Sequence, residues 1–216
     1  MTTLVLPGRY RAAVFDMDGL LLDTEPLWHE TESELLLRHG HDYTDADKAA
    51  AHGRAVVDSA AVYAARLGLP AADIEREILE IMLGHYEAGA PLHAGARGLL
   101  EGLDGRMGLA VASNTAARLV HRALEAAGLG MFRVVTSGAD LGRPKPLPDV
   151  YLAACAALGV APVDAVAFED SPTGVRAASA AGLFTVGVPD RGDVDLAAAG
   201  ADLVIASLGD IVIEAG

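Results

Sequence analysis

A single cysteine, Cys155, rules out any intrachain disulfide and fits a reducing cytosol. Its neighbours in Leu152–Leu158 are small and apolar, so it reads as buried helix filler and not as a reactive thiol. Basic residues are also scarce. Sixteen Lys and Arg face thirty Asp and Glu, for a formal net charge of −14 at pH 7. A chain this acidic repels nucleic acid and anionic membrane surfaces, so neither is expected as a partner. No long uncharged apolar run is present. The stretch 151–168 comes closest, but Gly159, Pro162 and Asp164 break it into a helix and a strand. The N-terminus has no apolar stretch behind a basic flank, so no signal peptide is expected and the protein is read as cytoplasmic. Internal repeats and low-complexity segments are absent. No histidine pair stands at zinc-like spacing beside a third ligand.

What the chain does have is the segment Val14-Phe15-Asp16-Met17-Asp18-Gly19. The apolar run Ala12–Phe15 reads as a buried strand. Asp16 and Asp18 then emerge at its C-terminal end on the same side of the pleat. Open α/β sheets place their active sites at that edge. Two carboxylates held together need a cation or a shared proton, and the fitting cation is a hard divalent one such as Mg2+. A simple strand-end turn also explains Asp and Gly at these positions.

Beyond this point strands and helices alternate. Strands are predicted at 107–112, 132–136, 165–168, 184–188 and 203–206. Helices are predicted at 116–127, 148–158 and 172–181, each closed by a glycine. Units of this kind predict a Rossmann-like parallel sheet with helices on both faces. The interval from Glu25 to about Gly89 differs, with helical spacing at 27–39, 56–67 and 72–86 and no strand pattern. It predicts an inserted α-helical cap. The expected division is a core of residues 1–23 and 93–216 and a cap of residues 24–92. An insertion that leaves and returns at the carboxylate edge suits a lid.

Three further polar groups follow predicted strands. Ser113 and Asn114 open a helix, where a hydroxyl and free backbone N–H groups could hold an anionic oxygen or simply cap the helix. Lys145 lies between prolines in Gly142–Pro148, a stiff loop that could fix its charge toward phosphate or leave it exposed. Glu169 and Asp170 end a buried strand, where packing explains them poorly and capping only in part.

In this order the motifs resemble the haloacid dehalogenase superfamily. The stretches 15–26 and 142–146 are similar to the branch with a helical cap, which contains sugar-phosphate phosphatases and β-phosphoglucomutases. The resemblance implies that Asp16 is the nucleophile, forming an aspartyl-phosphate, and Asp18 the general acid and then base. It implies Mg2+ bound by the Asp16 carboxylate, the Asp18 backbone carbonyl and Asp170, with Glu169 in support. It further implies that Ser113 and Lys145 hold phosphoryl oxygens, with Asn114 beside them. Dehalogenases of the superfamily lack the second aspartate, so Asp18 points to phosphate. In the mutase pattern a cap-hinge histidine stands where this chain has Trp28, with His29 one position later. A substrate-gripping arginine stands where it has Val56, with Arg54 displaced. These departures favour a phosphatase over a mutase, and Trp28, His29 and Arg54 become candidate substrate contacts. The expected partner is a small phosphorylated metabolite and the expected state a monomer. A non-catalytic phosphate-binding protein is the remaining alternative.

Overall fold

A computed structural model describes residues 4–51, 56–190 and 194–214. The chain runs through β1 (Val5–Leu6), β2 (Ala12–Phe15), α1 (Glu25–Arg38), α2 (Asp45–Ala51), α3 (Val56–Leu67), α4 (Ala71–Ala88) and α5 (Ala96–Leu103). It continues through β3 (Gly108–Ser113), α6 (Ala117–Ala126), β4 (Val134–Ser137), α7 (Gly138–Leu141), α8 (Asp149–Leu158) and β5 (Ala165–Glu169). The last elements are α9 (Pro172–Ala181), β6 (Phe184–Gly187), β7 (Leu203–Val204) and β8 (Val212–Ile213). The main sheet is parallel, in the order β4-β3-β2-β5-β6-β7, and β1 pairs with β8 in a separate two-stranded sheet. Among the described residues no helix is long and apolar enough to cross a membrane.

The alternation of the strands sorts the two faces of the sheet. Phe15, Leu109, Val111, Val166 and Phe168 enter one core with α5 and α6. The opposite face carries Ala12, Val14, Ala110, Ala112, Ala165 and Ala167, which pack on α8 and α9. Small side chains there let the alanines of α9 and the Ala154–Cys155 stretch of α8 sit directly on the strands. Cys155 is 1% exposed and its thiol is pushed up to about 11 by burial, as expected of inert filler.

Two features of the sequence escaped periodicity. The helix α5 carries Leu99, Leu100 and Leu103 on one face, but Gly98 and Gly102 lower its intrinsic propensity. The two-residue strands β1 and β8 are too short to show an alternating pattern.

Four of the five helices described between β2 and β3, α1 to α4, form the inserted cap, with a core of their own that includes Leu35, Leu36, Tyr63, Ile74, Ile78 and Ile81. The last turns of α4 leave that cluster. Met82 and Tyr86 belong instead to the core of the main sheet, beside Leu20, Leu21 and Leu22. One helix therefore spans both cores. Gly84 lies in this stretch, exposed, with nothing within 4 Å of a Cβ built on it. Gly84→Ala is expected to stabilise the fold by about 0.5–1 kcal/mol, since it restores helix propensity without a clash. Urea denaturation of the two proteins measures this.

Candidate active site

The site begins with the register of the central strands. Phe15 pairs with Phe168 across β2 and β5, and their rings stack at 4.8 Å with 7° between planes. The next residue on each strand is an acid, Asp16 and Glu169. The Asp16 N–H donates to the Phe168 carbonyl at 3.0 Å, which extends the ladder by one step. After Asp16 the chain turns sharply. The Met17 carbonyl accepts from the N–H groups of Leu20, Leu21 and Leu22. Gly19 takes φ +83°, and a Cβ there would stand 2.5 Å from Asp170 Oδ2, so only glycine fits.

Lys145 reaches this point from the loop after α7. Its side chain is 4% exposed, and its Nζ donates to Asp16 Oδ1 and, at 2.5 Å, to Glu169 Oε1. The loop is braced by Asn114, whose Oδ1 accepts from the Lys145 N–H at 2.8 Å. Gly138 admits that contact, because its Cβ would lie 2.6 Å from Asn114 Oδ1. The Asn114 side chain thus serves the lysine loop directly. The Tyr151 hydroxyl on α8 also donates to Glu169 Oε1, and Ser171 donates to Oε2 at 3.2 Å.

Asp16, Glu169 and Asp170 each offer a carboxylate oxygen within 4.8 Å of the others. Burial pushes the Asp16 carboxyl up to about 7; Lys145 pulls it back down in part, and the charges of Glu169 and Asp18 add to the rise. Asp170 is also held well above the usual carboxylate range, by burial and then by Asp16 and Glu169. Burial pulls the Lys145 ammonium down, but the two carboxylates outweigh it and the net shift is upward. Three acids thus share one lysine, with oxygen donors only. This donor set and its excess of negative charge fit a hard divalent cation.

Asp18 lies apart from that cluster, and its carboxylate is held by hydroxyls. Thr24 donates to Oδ1 at 2.9 Å and Tyr86 at 2.7 Å. Thr115 donates to Oδ2 at 2.8 Å and Ser113 at 3.4 Å. Thr24 stands at the N-cap of α1 yet makes no side-chain cap bond, because its hydroxyl is given to Asp18. Ser113 ends β3 at 1% exposure, beside the same carboxylate.

The cap candidates fall elsewhere. Trp28 is half-buried and packs against both the cap core and the main core. His29 lines a shallow groove with Ser33, Leu37, Tyr43 and His85, and none of the site's acids borders it. Arg54 lies outside the described residues. Sequence reasoning missed Thr24, Thr115, Tyr86 and Tyr151. Thr115 stood two residues from Ser113, in the same motif. Thr24 looked like any N-cap, and the two tyrosines lie 68 and 18 residues from the acids they meet.

A family model for haloacid dehalogenase-like hydrolases matches residues 10–182, and the chain belongs to that family. It is 32% identical over 205 residues to validoxylamine A 7'-phosphate phosphatase of Streptomyces hygroscopicus subsp. limoneus, covering 94% of this chain and 96% of that protein. It is 32% identical to hexitol phosphatase B of Escherichia coli (strain K12), over 85% of each. Among solved structures, CbbY from Rhodobacter sphaeroides in complex with phosphate superposes with a TM-score of 0.82 at 28% identity, covering 93% of this chain and 95% of that one.

Two measurements test the site. Glu169 is fully buried against the first turn of α9, where a Cβ on Gly174 would come within 1.9 Å of its carboxylate. Gly174→Ala is expected to cost about 1–3 kcal/mol in chemical denaturation, since the acid must be displaced. The second concerns pH. Asp16 holds its proton in the folded state up to about 7, against 3.8 ordinarily, so without a cation stability falls as pH rises through that window. A cation must displace that proton below about 7 and not above it. The gain in Tm on adding Mg2+ should therefore be larger at about pH 8 than at about pH 5.5, read by thermal unfolding. An equal gain at both would contradict the assignment.

Proposed function

We propose that the protein is a Mg2+-dependent phosphatase of small phosphorylated metabolites, sugar or polyol phosphates in particular. It works as a cytoplasmic monomer, with residues 24–92 as a cap over a core of residues 1–23 and 93–216. The observation that carries the reading is the Asp16–Lys145–Glu169 cluster at the end of the paired strands, with Asp18 two residues on from Asp16. The two phosphatases it is similar to support the reaction and the polyol class.

In this reading Asp16 attacks phosphorus, the P–O bond to the alcohol breaks, and Asp18 gives its proton to the departing oxygen. Asp18 then takes a proton from water. The water oxygen attacks the aspartyl-phosphate, the bond to Asp16 breaks, and phosphate leaves. Lys145 and the Ser113 hydroxyl hold the phosphoryl oxygens, where positioning and charge dominate the barrier. Asp16, Asp170 and the Asp18 carbonyl would hold Mg2+, with Glu169 in support. When bound, the ion offsets the negative charge that otherwise keeps carboxylate and phosphate apart. Asn114 acts on phosphate through the loop it braces.

The hydrolase reading is preferred to the mutase one because Trp28 is a packing residue between the two cores and offers no imidazole at the hinge. The test is phosphate release from a panel that includes hexitol phosphates and β-glucose 1-phosphate. Mg2+-dependent release is expected, with loss on chelation and a fall of about a thousand-fold or more in Asp16→Asn. Full turnover in metal-free buffer would defeat the reading. Glucose 6-phosphate forming faster than free phosphate would replace it with the mutase.

A further inference from the structure

Asp18 is served from three separate parts of the chain. Thr24 comes from the hinge into the cap, Thr115 from the loop after β3, and Tyr86 from α4 of the cap. The Tyr86 contact is unlike the other two. Its ring is fully buried in the main core while the first two-thirds of its helix pack in the cap core. The hydroxyl makes a 2.7 Å bond, the shortest of those reaching Asp18. Buried tyrosines need a partner for the hydroxyl, and here the acid is that partner.

We propose that Tyr86 is a positioning residue for Asp18, through which the seating of the cap fixes the aim of the acid. This rests on the acid–base role given to Asp18 above. An aspartate side chain without fixed partners rotates among staggered wells, and proton transfer needs one of them. Thr115 and Ser113 anchor Oδ2 from the core side and are indifferent to the cap. Oδ1 is the end shared by the hinge and the cap, and Tyr86 is its contact from α4. Removing the hydroxyl leaves Oδ1 with the Thr24 bond at the hinge and takes away its contact from α4. Held there from the hinge and no longer from α4, the carboxylate is freer to leave the rotamer that the cap's seating sets. Closing the cap and presenting the proton thereby become one event. In the first half-reaction the consequence falls only on esters whose leaving group needs a proton, and kcat/KM reads that half-reaction alone; this separates a positioning role from a merely structural one.

Tyr86→Phe keeps the ring and removes only the oxygen. It is compared with wild type and Asp18→Asn on two esters with Mg2+ present. One is a hexitol phosphate, whose alkoxide must be protonated. The other is 4-nitrophenyl phosphate, whose leaving group needs no proton. We expect Tyr86→Phe to lower kcat/KM on the alkyl ester about ten-fold more than on the nitrophenyl ester, the loss of one charge-assisted hydrogen bond. Asp18→Asn should show the same selectivity, more strongly. Equal losses in kcat/KM on the two esters in Tyr86→Phe, or a gain on either, with the selectivity intact in Asp18→Asn, would overturn the positioning role alone. Absence of selectivity from both variants would overturn the acid–base assignment and this inference with it.

Discussion

The buried ammonium of Lys145 is the group on which the rest of the site depends. It lies between Asp16 and Glu169, two acids brought side by side by the pairing of β2 with β5. Without that charge the two carboxylates would meet in an apolar setting above the stacked Phe15 and Phe168 rings. Leaving a buried charge unpaired costs about 3–5 kcal/mol, so the lysine loop cannot move far from the strands. Much of the surrounding sequence secures it. Three prolines stiffen the loop, Asn114 ties down its backbone, and Gly138 makes room for Asn114. Tyr151 and Ser171 take up the remaining demand of Glu169.

The order of strands and helices was readable because each unit repeats one pattern: an apolar run, polar residues, a helix, then glycine. Asp16, Asp18, Glu169 and Asp170 were readable because acids at the ends of buried strands contradict the local pattern, and Lys145 because prolines fix it in a stiff loop. The hydroxyl donors were not, since hydroxyls contradict nothing. A threonine before a helix looks like a cap, and Thr24 became a ligand of Asp18 only once the fold placed the two together. Tyr86 looked like one more apolar position of α4, and the sequence holds no trace that its oxygen meets an acid 68 residues earlier. Short elements were lost for a different reason. Two residues of β1 cannot show a period, and two glycines hide the helical character of α5.

The cap is more closely joined to the core than a simple insertion would be. Its own apolar cluster would let it act as a separate body, yet Met82 and Tyr86 leave that cluster for the main one. Trp28 bridges the same two clusters from α1. Any movement of the cap must therefore be absorbed close to the site, at the hinge beside Thr24 or in the last turns of α4. Motion there reaches the acid without crossing the body of the protein.

Asp16 and Asp18 are separated by Met17 alone and share a strand end, but their surroundings differ in kind. Asp16 meets an ammonium and two further acids; Asp18 meets hydroxyls. A lysine can only donate, so it pulls the Asp16 carboxyl toward the ionised form that the proposed nucleophile needs, against the burial that favours its proton. A hydroxyl donates or accepts, so a ring of them can serve a carboxylate in either protonation state. A group that gives up a proton in one half of a cycle and takes one in the next needs that tolerance. The division of labour proposed for two chemically identical side chains is thus matched by what each faces.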